Sequence, residues 1–155
     1  MNRGIGGAVT NDLIFYADQL IFKYKPRQII IYVGENDLPQ ATTTPDTVFQ
    51  RFVKLYTLIR SRLPEIPIGY IALKPSPSRA KYFDKAGAAN KLIQDFLANK
   101  LNTRFLDIFT PMLKDGKANK ALFVGDMLHM NPDGYKIWEE LVRPYLLLGN
   151  KREQT

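Results

Sequence analysis

Apolar residues recur along the chain with two periods that alternate. Over residues 10–24, Leu13, Ile14, Ala17, Leu20, Ile21 and Tyr24 fall at three- and four-residue intervals, the spacing of one helix face. Thr10 or Asn11 can accept hydrogen bonds from its first amides, and Pro26 follows where the helix must stop. Residues 28–33, Gln-Ile-Ile-Ile-Tyr-Val, are apolar on both sides and rich in β-branched and aromatic side chains. Such a run predicts a strand covered on both faces, as in a parallel sheet. Gly34-Glu35-Asn36-Asp37 then opens a loop at the strand's C-terminal end.

The alternation repeats. Thr44-Pro45-Asp46 starts a helix whose apolar stripe is Val48, Phe52, Leu55, Tyr56 and Ile59, with Pro64 and Pro67 around its exit. Residues 66–73 predict a second strand, ending in Lys74-Pro75-Ser76-Pro77-Ser78-Arg79. A third helix is predicted over 82–101 and a third short strand over 104–109. Residues 111–124 read as a helical turn and a loop. Asn131-Pro132 supplies a cap and a first-turn proline for a last helix through Tyr135, Trp138, Leu141, Val142 and Tyr145. Strands separated by helices of this length imply βαβ units, hence an α/β fold with helices on both faces of a parallel sheet. One domain is expected over residues 1–150, followed by a polar tail at 151–155. Sites on such sheets lie beyond the C-terminal ends of the strands. The loops 34–38 and 74–79 and, after a longer excursion, 126–129 meet there.

Composition narrows the chemistry. The chain has 155 residues and no cysteine, which removes disulfides, thiolate metal sites and a cysteine nucleophile. No apolar run reaches the ~20 residues that cross a bilayer, so no transmembrane segment is expected. The compartment stays open: cytoplasm, or export if a signal peptide lies upstream. The net charge of +7 is spread without a basic block or a nucleic-acid-binding motif, so a solvated basic surface is expected and nucleic acid is not expected as a partner.

His129 is the sole histidine. Near neutral pH it is the simplest general base, and Asp126, three residues earlier in the same loop, can hold its tautomer. A side-chain amide at a strand end, as at Asn36, can donate to a developing oxyanion, although Gly, Asn and Asp also make ordinary turns. The glycine-rich Asn2-Arg3-Gly4-Ile5-Gly6-Gly7 precedes a helix and lets backbone N–H groups approach a ligand. It lacks the Gly-Lys-Ser/Thr of a phosphate loop.

Taken in order, these three segments resemble the second, third and fifth sequence blocks of the SGNH/GDSL hydrolases (GDSL-like lipases and acylhydrolases). Gly7 matches the glycine of the second block. Gly34-Glu35-Asn36-Asp37 matches Gly-x-Asn-Asp. Asp126-Met127-Leu128-His129 matches Asp-x-x-His, and Asn131-Pro132-Asp133-Gly134-Tyr135 its continuation. The resemblance spans Asn2 to about Leu147. It implies a three-layer α/β/α, flavodoxin-like parallel sheet of order 2-1-3-4-5, and a serine esterase needing neither metal nor organic cofactor. It also implies His129 as base, Asp126 as its orienting acid, and Gly7 and Asn36 as oxyanion donors. Glu35, Ser76, Ser78 and Arg79 are expected along the substrate pocket.

The family's first block, Gly-Asp-Ser, has no counterpart here, so the first strand is expected to be absent and the nucleophilic serine to lie upstream. Little serine-dependent turnover is expected of these 155 residues alone. The expected substrate is a small ester, an O-acetylated carbohydrate or a lipid ester. The alternative is a catalytically dead module of the same fold that binds an acylated sugar or lipid. A homodimer would cover a bare sheet edge.

Overall fold

The computed structural model describes residues 1–147; the tail at 151–155 lies outside them. Three strands, β1 (Ile29–Ile31), β2 (Ile68–Ile71) and β3 (Thr103–Leu106), form one parallel sheet in the order β1-β2-β3. Ile30 pairs with Gly69, and Gly69 with Arg104. Side chains alternate across the pleat, so the two faces carry different residues. Ile31, Val33, Ile68 and Tyr70 meet Phe52, Leu55 and Ile59 of helix α3 (Pro45–Arg62) and Ile93 and Leu97 of helix α4 (Phe83–Ala98). On the other face Ile30, Tyr32, Ile71 and Leu106 meet Ile137, Trp138, Leu141 and Val142 of helix α5 (Pro132–Val142). These are the α/β/α layers expected from the sequence. The outer side of β1 has no paired strand among the described residues.

The helix starts follow local chemistry. Thr44 Oγ1 accepts the Thr47 amide at 3.1 Å ahead of Pro45, and Asn131 Oδ1 accepts the Gly134 amide at 3.1 Å ahead of Pro132. Each cap satisfies one orphan donor of the first turn. Gly134 is required by packing, because a Cβ there would sit 2.5 Å from the Leu122 carbonyl oxygen.

Two stretches depart from expectation. The single helix predicted over 10–24 is broken into α1 (Thr10–Phe15), α2 (Ala17–Leu20) and a 3-10 turn at Phe22–Tyr24, closed by Lys25 in the left-handed region at φ 44°. The break at Tyr16 leaves Phe15 and Tyr16 exposed, edge to face with each other, while Ala17 is buried. Neither Thr10 nor Asn11 caps α1. The Asp12 carboxylate accepts the Val9 amide at 2.9 Å, and Thr10 is committed elsewhere. The loop predicted over 111–124 contains a hairpin of β4 (Leu113–Lys114) and β5 (Lys117–Ala118). Its turn residues Asp115 (φ 52°) and Gly116 (φ 72°) are both left-handed, the conformation that Asp-Gly adopts in two-residue hairpins.

Candidate active site

The loop leaving β1 turns on Gly34. Its φ of 115° lies where L side chains are rare, and a Cβ would come within 3.2 Å of Leu73 and 3.3 Å of Val48. The turn drives Asp37 into the interior, where it is 0% exposed. A carboxylate so placed needs donors on both oxygens. Oδ2 accepts the Thr10 amide at 2.9 Å and the Thr10 hydroxyl at 3.0 Å, and Oδ1 accepts Arg51 Nη1 at 2.5 Å. Asp37 therefore joins the start of α1, the β1 loop and α3. Beside it, Asn36 Nδ2 donates to the Ala8 carbonyl at 3.1 Å, which brings the glycine-rich segment against this loop. Gly7, exposed and at φ 76°, immediately precedes Ala8.

Glu35, the neighbour of Asn36 in the chain, anchors a buried ionic cluster. Glu35 accepts Lys74 Nζ at 2.6 Å on Oε1 and 2.5 Å on Oε2, the Tyr32 hydroxyl at 2.6 Å on Oε2 and the Ser76 hydroxyl at 3.0 Å on Oε1. Burial pushes the Lys74 ammonium below its ordinary range, while the Glu35 carboxylate opposes that shift. Burial, reinforced by the Glu35 charge, holds the Tyr32 phenol well above its ordinary range. Arg79 Nη1 donates to the Glu35 carbonyl at 2.6 Å, and Nη2 donates to Asn36 Oδ1 at 2.9 Å. Glu35, Lys74, Ser76 and Arg79 line one small cleft with Leu38 and Tyr82.

The third segment is a tight surface loop. Met127 is left-handed at φ 56°, which folds the chain so that Asp126 Oδ1 accepts the Leu128 amide at 2.8 Å and the His129 amide at 2.9 Å. Asp126 Oδ2 faces His129 Nδ1 at 2.6 Å. The His129 hydrogen bond and these two backbone N–H groups hold the Asp126 carboxyl down at about 2. The imidazole is 70% exposed and Nε2 has no hydrogen-bond partner among the described residues. With Nδ1–H donated to Asp126, Nε2 carries the available lone pair.

Hydrogen bonds connect the three segments in sequence. The Ser78 amide donates to the Met127 carbonyl at 3.0 Å, Arg79 reaches Asn36, and Asn36 reaches Ala8. The Asp126 charge also acts on Lys74, so the histidine loop and the ionic cluster share one electrostatic neighbourhood. The chain has three serines. Ser61 donates to the Leu58 carbonyl on the exposed side of α3, Ser76 is buried on Glu35, and Ser78 is exposed. None is hydrogen-bonded to His129 among the described residues. Sequence reasoning passed over Lys74, Thr10 and Arg51. Lys74 carried a signal, because a lysine directly after an apolar strand is drawn inside and needs an anion. Nothing local marked Thr10 or Arg51 as partners of Asp37.

A family model described as the GDSL-like lipase/acylhydrolase family matches residues 1–137. The platelet-activating factor acetylhydrolase IB subunit alpha2 of Rattus norvegicus is 27% identical over 165 residues, covering 100% of this chain and 69% of that protein. Among solved structures, a GDSL-like lipase from Bacteroides thetaiotaomicron superposes with a TM-score of 0.75 at 22% identity, over 92% of this chain and 73% of its own. A lipase/acylhydrolase from Enterococcus faecalis does so with a TM-score of 0.73 at 19% identity, over 90% of this chain and 70% of its own. Both superpositions show the shared fold. With the family model spanning most of its length, the chain belongs to the GDSL-like lipase/acylhydrolase family of ester hydrolases.

Proposed function

We propose that residues 1–155 supply the base, its orienting acid and two oxyanion donors for hydrolysis of a small ester, attacked by a serine carried outside these residues. The observation that carries this reading is the His129–Asp126 pair. Its hydrogen bond at 2.6 Å fixes Nδ1 as the donor, leaving Nε2 to act as base in solvent-accessible space. In the first step Nε2 takes the serine proton as Oγ bonds to the ester carbonyl carbon. The new oxyanion receives the Gly7 N–H and the Asn36 Nδ2–H that is not directed at Ala8. The imidazolium, stabilised by Asp126, then protonates the leaving alcohol. In the second half Nε2 removes a proton from water, whose oxygen attacks the acyl carbon, and the imidazolium returns that proton to the serine Oγ as the acid leaves.

We assign acetyl as the acyl group. The similar rat protein is named an acetylhydrolase, and His129 stands exposed on a short surface loop rather than deep in a chain-binding tunnel. An O-acetylated carbohydrate or a lipid ester fits this assignment. Ser76 does not fit as nucleophile, because its hydroxyl is buried on Glu35.

The test is hydrolysis of p-nitrophenyl acetate by the product of the full reading frame and by residues 1–155 alone. The full product is expected to turn over, and His129→Ala to lower kcat by about 10⁴-fold or more. Residues 1–155 alone are expected to show no serine-dependent turnover. Turnover by the short chain that Ser78→Ala abolishes would move the nucleophile to Ser78. Absence of turnover in the full product, with retained binding of an acetylated sugar, would make the protein a binding module.

A further inference from the structure

Asn36 can serve as an oxyanion donor only if its amide is turned the right way. A side-chain amide has an acceptor end and a donor end, and turning it over exchanges them. Here the neighbours decide. A backbone carbonyl can only accept, so the atom facing Ala8 O at 3.1 Å is Nδ2. A guanidinium can only donate, so the atom facing Arg79 Nη2 at 2.9 Å is Oδ1. With both ends held, a single Nδ2–H is left over.

We infer that Arg79 is the positioning residue of the oxyanion site, fixing the Asn36 amide so that this one N–H faces the reacting carbonyl. The inference rests on the function proposed above and assigns Arg79 a role through Asn36 rather than a contact with substrate. Both ends of the guanidinium are already engaged, Nη2 with Asn36 and Nη1 with the Glu35 carbonyl at 2.6 Å. The Glu35 carboxylate stands 3.6 Å from Nη1. One N–H on each Nη is thus committed to the Glu35-Asn36 loop.

The backbone that carries Arg79 is held with equal care. Its amide donates to the Ser76 carbonyl at 2.9 Å, and the preceding Ser78 amide donates to the Met127 carbonyl at 3.0 Å. Pro75 and Pro77 stiffen the approach, and Ser76 is buried against Glu35. Arg79 thus sits where the histidine loop and the asparagine loop are joined, and one short segment sets their spacing. The guanidinium charge also draws electron density from Oδ1, which makes the free Nδ2–H a stronger donor. Lys74 and Glu35 pair with each other, so the charge directly on the Asn36 amide is the Arg79 guanidinium, of the sign that favours an oxyanion.

The experiment uses the product of the full reading frame with p-nitrophenyl acetate, in Arg79→Met, Arg79→Lys, Asn36→Ala and the double variant Arg79→Met/Asn36→Ala. Asn36→Ala is expected to lower kcat about 10²–10³-fold, as loss of one oxyanion donor does. Arg79→Met is expected to lower kcat roughly 10–100-fold with KM within about 3-fold, and Arg79→Lys to recover part of that loss by keeping one donor. The double variant is expected to match Asn36→Ala alone, because a residue acting only through Asn36 has nothing left to act on. An unchanged kcat in Arg79→Met, a rise in KM alone, or full additivity in the double variant overturns the inference.

A second readout does not depend on turnover. The Asn36 side-chain amide protons, followed by ¹⁵N NMR, are expected to give one sharp, well-separated pair in the parent. They are expected to move or broaden in Arg79→Met and to be nearer the parent in Arg79→Lys. An amide pair unmoved in Arg79→Met overturns the inference. If the parent shows no turnover, the proposed function fails, and the NMR comparison still decides the role of Arg79.

Discussion

The ionic cluster around Glu35 offers a stringent test of the energetics. Lys74 and Glu35 side chains are 7% and 10% exposed, and their closest oxygen-to-nitrogen distance is 2.5 Å. Solvent screening is therefore slight, and breaking the pair leaves a charge in the interior. Removing one partner of such a pair costs about 3–5 kcal/mol, whereas removing both and filling the space is often neutral. Glu35→Gln keeps the shape and one acceptor oxygen, for either Ser76 or Tyr32, but strands the ammonium. Lys74→Met keeps the length and strands the carboxylate. Each single variant is expected to lose about 3 kcal/mol or more in urea unfolding, which for a chain of this size lowers Tm by roughly 6–20 °C. The double variant Glu35→Gln/Lys74→Met is expected to be more stable than either single one, with a coupling of at least ~2 kcal/mol across the cycle. Single variants within about 0.5 kcal/mol of the parent, or a double variant whose loss is the sum of the two, would refute the claim that these charges are held by each other.

Two further outcomes test the site and its support. The Asp126 carboxyl is held at about 2 against an ordinary 3.8, and a carboxyl lowered on folding stabilises above its unfolded value and is lost below it. The loop's order, read as protection of the Leu128 and His129 amides, should hold from neutrality down to about pH 4 and fade between about 4 and 2; a carboxyl titration midpoint near 4 would contradict this. Gly134→Ala forces a methyl to within 2.5 Å of the Leu122 carbonyl, so a loss of roughly 2 kcal/mol or more in thermal unfolding is expected, and a neutral effect would show that α5 shifts freely on the loop before it.

Much of the fold could be read because local signals and packing agree. The runs at 28–33 and 66–73 each hold a strand, the run at 104–109 overlaps β3 from its second residue, and Thr44-Pro45 and Asn131-Pro132 each start a helix. The helix over 10–24 was misread because periodicity reports which face is apolar, not whether the backbone stays continuous past Tyr16. The hairpin at 113–118 was missed although Asp115-Gly116 signals such a turn, because its strands are two residues long and carry no alternation to read. At the site, Asp126 and His129 are three residues apart and meet in space as their spacing implied. The partners of Asp37 could not be read, since Thr10 and Arg51 lie 27 and 14 residues away and only tertiary folding brings them together. The bonds from Arg79 to Glu35 and Asn36 could not be read either, since the partners lie more than forty residues back in the chain.

The tie through Asp37 gives the two halves of the site different mechanical characters. Loosening the Asn36 side means parting α1 from α3 and uncovering a buried carboxylate, so it cannot open without much of the domain opening with it. The His129 side sits on an exposed turn, tied to residues 76–79 through the Ser78–Met127 backbone bond, and can open locally without uncovering a buried carboxylate. Under the proposed function, an ester would meet one fixed jaw and one more compliant jaw, and its fit would be taken up chiefly on the imidazole side. Amide exchange should therefore be slower near Thr10 and Asp37 than at the Leu128 and His129 amides, which are protected only by their local bonds to Asp126, and changes in acyl-group preference should arise from substitutions around residues 124–130.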